Sequence, residues 1–375
     1  MPMYVKTHSS LTELSADNWS SLAGDNPFLS WEFMLALEQS GCVSAETGWL
    51  PHHLSLHDDS DQLLGIMPLY LKSHSQGEYV FDHNWAEAFQ RAGGQYYPKL
   101  QSSVPFTPVT GPRLLAKTKE HKTLLAMGAA ELCQKQNLSS LHITFLGDDD
   151  LAVLENTPYL IRSDQQFHWN NDNYASFDDF LASLSSRKRK NIRKERKTAT
   201  QNNISIRHLT GDDIKEHHWD DYFEFYINTS MRKWGRPYLN REFFSTIGET
   251  MADKIVLMLA EREGRYIAGA LNFLGPDTLY GRYWGAIEHH PCLHFELCYY
   301  QAIDYAISHK LDRVEAGAQG EHKLARGYVP TKTQSAHFIS DPNFRSAVAD
   351  YLDHETNMVD QHIKALNNFT PFKKS

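Results

Sequence analysis

Tyr280–His337 reads YGRYWGAIEHHPCLHFELCYYQAIDYAISHKLDRVEAGAQGEHKLARGYVPTKTQSAH, and the fold class turns on how this stretch divides. Thr278 to Trp284 is aromatic-rich and predicts a strand. Pro291 suits the first position of a helix, where its missing N–H leaves no bond unmade. From there Phe295, Tyr299, Ala302, Ile303 and Ala306 recur at helical spacing, so one face enters a core. Leu311 to Ala316 predicts a short return strand. It runs into Gly317-Ala318-Gln319-Gly320, small residues that let a backbone or a ligand approach closely. Glu321, His322, Lys323, Arg326 and Gly327 follow. A strand, a buried helix and a parallel return strand make a βαβ unit. Ligands of such units gather beyond the C-terminal strand ends and at the helix N-terminus.

Outward from this stretch the pattern continues. Lys254 to Leu259, Tyr266 to Leu274 and Thr278 to Trp284 predict three strands joined by tight turns. The first half repeats the same grammar weakly. His52 to Leu56, Leu63 to Leu71 and Tyr79 to Trp85 predict strands. Leu125, Ala129 and Leu132 mark a helix, and Leu141 to Phe145 a strand. Phe89 to Thr118 reads as a long inserted loop, and loops of that length in compact domains are usually functional. Tyr159 to Trp169 closes this half. Phe177 to Ala199 predicts one helix, with further helices near Asp220 to Lys233, Arg241 to Met251, Pro342 to Leu352 and Thr356 to Leu366. The expectation is an α/β (α+β) protein of two tandem acetyltransferase-type (GNAT-like) domains, 1–170 and 171–375. Each has a mixed, mainly antiparallel sheet flanked by helices.

Composition narrows the function classes. At 375 residues, 41% hydrophobic and 22% charged, the chain is an ordinary globular one with room for two cores. It has no apolar run long enough to predict a membrane span. Cys42, Cys133, Cys292 and Cys298 show no disulfide-like framework, which with the N-terminal sequence predicts a cytoplasmic protein. Net charge is −9, yet Arg187 to Lys197 holds eight basic residues and one acidic, so the remainder carries −16. A basic helix on an acidic body suits a local phosphate or RNA contact, or a solvated helix face.

Acyl transfer to an amine needs a proton acceptor and donors for the developing oxyanion. Glu321, His322 and Lys323 are the catalytic candidates. Lys323 would stabilise an oxyanion or a phosphate, and His322 or Glu321 would take the amine proton. Arg326 would share the Lys323 face if the segment is helical. His294 and Glu296 fall in the first turn of the preceding helix, and Trp284 at a strand end can stack on a ligand or fill core. In the first half Lys72, His74, Glu78, Tyr79, Asp82 and His83 gather near strand ends. Tyr97, Lys99, Phe106 and Arg113 sit in the long loop, where aromatics with cations suit a phosphate-bearing or glycan-like acceptor. The two groups would face a common substrate cleft. The histidines and cysteines between His289 and Cys298 match no common zinc spacing, so no metal is expected.

The segments TGWLPHHL, LYLKSHSQGEYVFDHNWAEAFQRAGGQYYPKLQSSVPFTPVTGPRLL, YWGAIEHHPCLHFELCYYQAIDYAI and VEAGAQGEHKLARGYVPTKTQSAH resemble the FemAB-like peptidoglycan biosynthesis or recognition proteins. The resemblance runs from about Asn26 to Lys374. It implies two acetyltransferase-like domains and transfer of an aminoacyl group from charged tRNA to an amine of a peptidoglycan precursor. The relatives carry a Phe-Lys motif here, and Lys323 is its nearest match, with His322 in place of the Phe. The basic Arg187–Lys197 helix also resembles the family pattern and implies a tRNA contact. The long helical-hairpin arm of some relatives is missing. The donor stays open between aminoacyl-tRNA and acyl-CoA, with no tightly bound cofactor. Against acyl-CoA, Glu288-His289-His290-Pro291-Cys292-Leu293 lacks the Gln/Arg-x-x-Gly-x-Gly/Ala turn that holds a pyrophosphate. A binder that recognises a cell-wall precursor without turnover is the alternative.

Overall fold

The computed structural model describes residues 3–233, 236–317 and 320–373. Ala318 and Gln319 of the glycine-rich turn lie outside them. The chain divides into two compact units, Met1–Gln165 with Lys332–His362, and Gln166–Thr331 with Ile363–Ser375. Residues 332–362, placed by the sequence in the second domain, pack instead with the first. The reason is hydrogen bonding: Ala336–Ile339 runs antiparallel to strand Ser140–Ile143.

In the first unit, strands Lys99–Ser102 and Ser140–Ile143 run parallel. Tyr70–Lys72 and then Trp49–Pro51 extend this sheet antiparallel. A second sheet holds Tyr4–His8, His53–His57, Leu63–Met67 and Leu115–Ala116. Helix Lys119–Lys135 buries Leu125, Ala126, Ala129 and Cys133 in a core with Leu100, Leu141, Ile143 and Phe338. Side chains alternate along strands, so the intervening residues face the other way. There the register aligns Tyr70 with Gln101, Gln101 with His142 and His142 with His337, beside a Lys72–Lys99 pair. All six are buried.

The second unit is built on an antiparallel run of Ile204–Leu209, Ile255–Arg262, Arg265–Leu274 and Thr278–Ala286. Strand Arg313–Glu315 then pairs parallel with the start of Thr278–Ala286, and His168–Asn170 pairs antiparallel beyond it. The helix between the parallel strands starts at Leu293 and ends at Ser308, with a π turn over Glu296–Tyr300. Leu297, Tyr300, Ala302, Ile303 and Ala306 fill the core. The predicted βαβ unit is therefore present.

Several elements differ from expectation. Tyr79–Trp85 is not a strand: Tyr79 is left-handed at φ 61° and helix His83–Arg91 begins soon after. Trp85, Ala86 and Phe89 share one helical face and pack with Tyr96, Val348 and Leu352, which outweighs β propensity. The long loop contains strand Lys99–Ser102, buried throughout. The single helix over 177–199 is two, Phe177–Ser183 and Ser186–Ala199. The two terminal helices are one, Pro342–Asn367. Pro291 is not the first helical residue, because Cys292 is left-handed at φ 65° and the helix starts after it.

Candidate functional site

In the second unit a 3₁₀ segment, Glu321–Arg326, follows the return strand. Two glycines set its ends. Gly320 has φ 114°, and a Cβ there would meet the His322 ring at 2.5 Å. Gly327 has φ 91°, and a Cβ would meet the Phe180 ring at 2.7 Å. Neither position tolerates a side chain without strain. The turn drives Lys323 inward until it is 2% exposed. Its Nζ donates to the Gly317 carbonyl at 2.8 Å. Burial first, and then the Arg282 cation, lower its pKa to about 7. An amine poised between charge states near neutral pH is a functional signal.

The neighbours are fixed by aromatic and ionic contacts. His322 Nε2 lies 2.8 Å from the Tyr299 hydroxyl. The Arg326 guanidinium lies 3.5 Å over the Phe295 ring. It donates to the His322 carbonyl at 2.7 Å and to both carboxylate oxygens of Glu195, at 3.1 and 2.9 Å. Tyr300 also donates to Glu195. The π turn places Tyr299 and Tyr300 on this side of the helix; such turns recur at functional sites. Glu296 is buried and accepts from Arg196 at 3.1 Å and Gln301 at 2.7 Å. Burial raises its pKa in spite of Arg196. At the start of the same helix a cleft of about 350 Å³ is lined by Arg232, Trp284, Glu288, His290, Cys292 and His294, among others.

The first unit holds a second polar group, on the buried sheet face. Lys99 Nζ donates to Asp82 at 2.5 Å, Glu78 at 2.8 Å and Ser75 at 2.9 Å. Lys72 Nζ lies 3.6 Å over the Trp49 ring and 3.7 Å from Glu78. The Tyr96 hydroxyl donates to Asp82 at 2.7 Å and stands 3.2 Å from His142 Nε2. Burial would raise the Asp82 carboxyl, but the Lys99 cation beside it outweighs this and holds it well below the carboxylate range. Burial raises Glu78 to about 7 and lowers Lys72 to about 7. Burial and the Lys99 cation push His142 down to about 3. Among the described residues, Glu78 Oε1, Asp82 Oδ1 and His337 Nε2 are buried without a hydrogen-bond partner.

The structure thus unites Lys72, Asp82 and Lys99, with Tyr97 joined through Ser75 at 2.8 Å. Asp82 and His83 do not form an acid–base pair: Asp82 is buried, while His83 is exposed and stacks on Phe81. Tyr79 is half-buried on its left-handed turn. Phe106 packs on Trp49 at 5.3 Å. Arg113 is fully buried, donating to the Val109 and Pro112 carbonyls, and burial lowers its pKa to about 10. Its guanidinium therefore serves its own loop. His294 stacks edgewise on Trp284 at 5.2 Å in the cleft wall. Sequence reading missed His142, His337 and Glu195. A signal existed for the histidines. In Ser140-Leu141-His142-Ile143 and Ser335-Ala336-His337-Phe338, polar residues alternate with apolar ones inside buried strands.

A family model described as FemAB-like, peptidoglycan biosynthesis/recognition, matches residues 10–374. Among solved structures the chain is similar to FemX, at 12% identity over 92% of this chain and 99% of that one, TM-score 0.55. It is similar to L-PGS from Bacillus licheniformis, at 8% identity over 84% and 95%, TM-score 0.51. A conserved protein of unknown function from Bacteroides thetaiotaomicron VPI-5482 aligns at 9% identity over 89% and 98%, TM-score 0.54. At these identities the likeness establishes the fold. No curated protein matches by sequence.

Proposed function

The chain belongs to the FemAB-like family of peptidoglycan biosynthesis/recognition proteins, and from that premise we propose that it is an N-acyltransferase acting on an amine of a cell-wall precursor. The observation that carries the reading is Lys323, buried at the turn after the parallel strand with its pKa lowered to about 7. The acceptor amine attacks the acyl carbonyl, forming the C–N bond. Protonated Lys323 stabilises the oxyanion of the tetrahedral intermediate. His322 or Glu321 accepts the amine proton, and collapse expels the donor's oxygen or sulfur. Holding both substrates in place supplies much of the remaining rate.

The donor we favour is an aminoacyl-tRNA, approaching along the basic helix Ser186–Ala199. Acyl-CoA is the alternative donor. Pro291 and left-handed Cys292 occupy the place where an acyl-CoA pyrophosphate would need a run of free backbone N–H groups. The cleft beside Trp284 and His294 would take the acyl group.

The test is a transfer assay with radiolabelled aminoacyl-tRNA or acetyl-CoA and a precursor peptide bearing a free amine. Label entering the peptide from charged tRNA supports the proposal. Label from acetyl-CoA alone reassigns the donor. Peptide binding without transfer from either donor favours recognition without turnover, a role that the family's description also covers.

A further inference from the structure

Helix Ser186–Ala199 has two faces of opposite character. At 100° per residue, Arg187, Lys190, Lys194 and Lys197 fall within an arc of about 80°. All four are exposed. Arg193 beside them pairs with Asp178 at 2.8 Å, whereas among the described residues these four have no ion-pair partner. The opposite side buries Ile192 and Ala199. From that inner side Glu195 grips Arg326 and Tyr300, and Arg196 reaches Glu296 at 3.0 Å and Asp304 at 2.7 Å. One rigid helix therefore joins a free cationic surface to the segment that carries Lys323.

We propose that Glu195 is a positioning residue for the Lys323 segment, and that an RNA phosphate chain on the outer basic stripe is felt at Lys323 through it. This rests on the reading of Lys323 as the reacting site. The Glu195 carboxylate holds Arg326, and Arg326 holds the carbonyl of His322, the residue before Lys323. A polyanion fixing the outer face restricts the helix and, with it, the segment. The occupant is RNA rather than a bilayer because the helix's apolar residues lie in its own core. No apolar side is left to enter a lipid interface. Arg282 from strand Thr278–Ala286, Cys298 from the π turn and the Gly317 carbonyl surround Lys323. Arg326, Tyr300 and Cys292 surround Glu195.

The experiment measures acetic-anhydride labelling of Lys323 by peptide mass spectrometry across pH, with and without mixed uncharged tRNA. It needs no turnover, so it stands apart from any failure of the acyl-transfer assay. Bound tRNA is expected to slow Lys323 labelling about fivefold in the wild type. Glu195→Gln should remove that protection and move the labelling midpoint toward that of an ordinary lysine, while Glu195→Asp restores both. Failure of tRNA to bind, or binding without protection, overturns the proposal. So does a Glu195→Gln protein that responds like the wild type. If Glu195→Gln does not fold, the surface variant Lys190→Glu/Lys194→Glu decides: protection must disappear, and its persistence overturns the proposal. Equal protection by phosphatidylglycerol vesicles would also overturn the assignment to RNA.

Discussion

The Nδ1 atoms of His142 and His337 lie 2.6 Å apart, although 195 residues separate them in the chain. One proton must sit between them, so one ring donates and the other accepts. Burial first, then neighbouring positive charge, keeps both in the neutral form: His142 is lowered to about 3 and His337 well below its ordinary value. In the unfolded chain each takes up a proton below its ordinary 6.5. The unfolded state then binds more protons, so this contribution to stability is present above pH 6.5 and is lost as pH falls toward 3. Each histidine contributes a slope of about 1.4 kcal/mol per pH unit in that window. Glu78, raised to about 7, acts with the opposite sign between its ordinary 4.5 and 7. The measurement is therefore a difference: urea midpoints from pH 4.5 to 6.5 for the wild type and His337→Asn. The variant should show the shallower dependence, and parallel curves would refute it.

Lys99 touches both Asp82 and Glu78 at hydrogen-bond distance. Lys99→Met leaves two carboxyl groups buried without it, which should cost about 3–5 kcal/mol in urea unfolding. Adding Asp82→Asn and Glu78→Gln should recover much of that loss. A single variant within about 1 kcal/mol of the wild type would show that the network contributes little.

Lys323→Met should lower the rate of acyl transfer about 10²–10³-fold with little change in acceptor KM. The wild-type rate needs the ammonium form, so it should fall as pH rises through about 7. A rate that rises through the same range would mean that the neutral amine is the working form.

Binding of tRNA through the outer stripe should weaken steeply with salt. Two to four phosphate contacts give a slope of about −2 to −3 in a plot of log K against log salt concentration. Lys190→Glu/Lys194→Glu should flatten that line. An unchanged slope would move the contact elsewhere.

Gly285 lies where helix Glu216–Lys233 crosses strand Thr278–Ala286, and a Cβ there would stand 2.1 Å from the Phe225 carbonyl oxygen. Backbone cannot give way as a side chain does. Gly285→Ala should destabilise by about 1–3 kcal/mol, read as a lowered thermal midpoint. A neutral variant would mean that the helix and strand can separate at little cost.

Legibility in the sequence followed local contrast. Ile255–Arg262, Arg265–Leu274 and Thr278–Ala286 are long, apolar and bounded by glycine turns, so they announce themselves. Lys99–Ser102 is four residues, three of them polar, and only its place between two other strands makes it one. The aromatic content of Tyr79–Trp85 suggested a strand because the helical partners of Trp85, Val348 and Leu352, lie far along the chain. At the candidate site Lys323 and Arg326 were readable from the glycines around them. Glu195 was not, since it sits 131 residues from Arg326 in a run that otherwise reads as cationic. Fold-level pattern is local, whereas a site is assembled from distant residues.

The return of Lys332–His362 to the first unit has a consequence for how the molecule is made. Strand Ser140–Ile143 emerges from the ribosome early but must wait for Ala336–Ile339 to complete its hydrogen bonds. His142 likewise stays without His337 through most of synthesis. The nascent first unit therefore carries an open sheet edge and an incomplete polar layer while residues 166–331 of the second unit are translated. Unpaired edges of this kind invite association between chains. Growing chains held back before residue 332 should be the ones that depend most on chaperones.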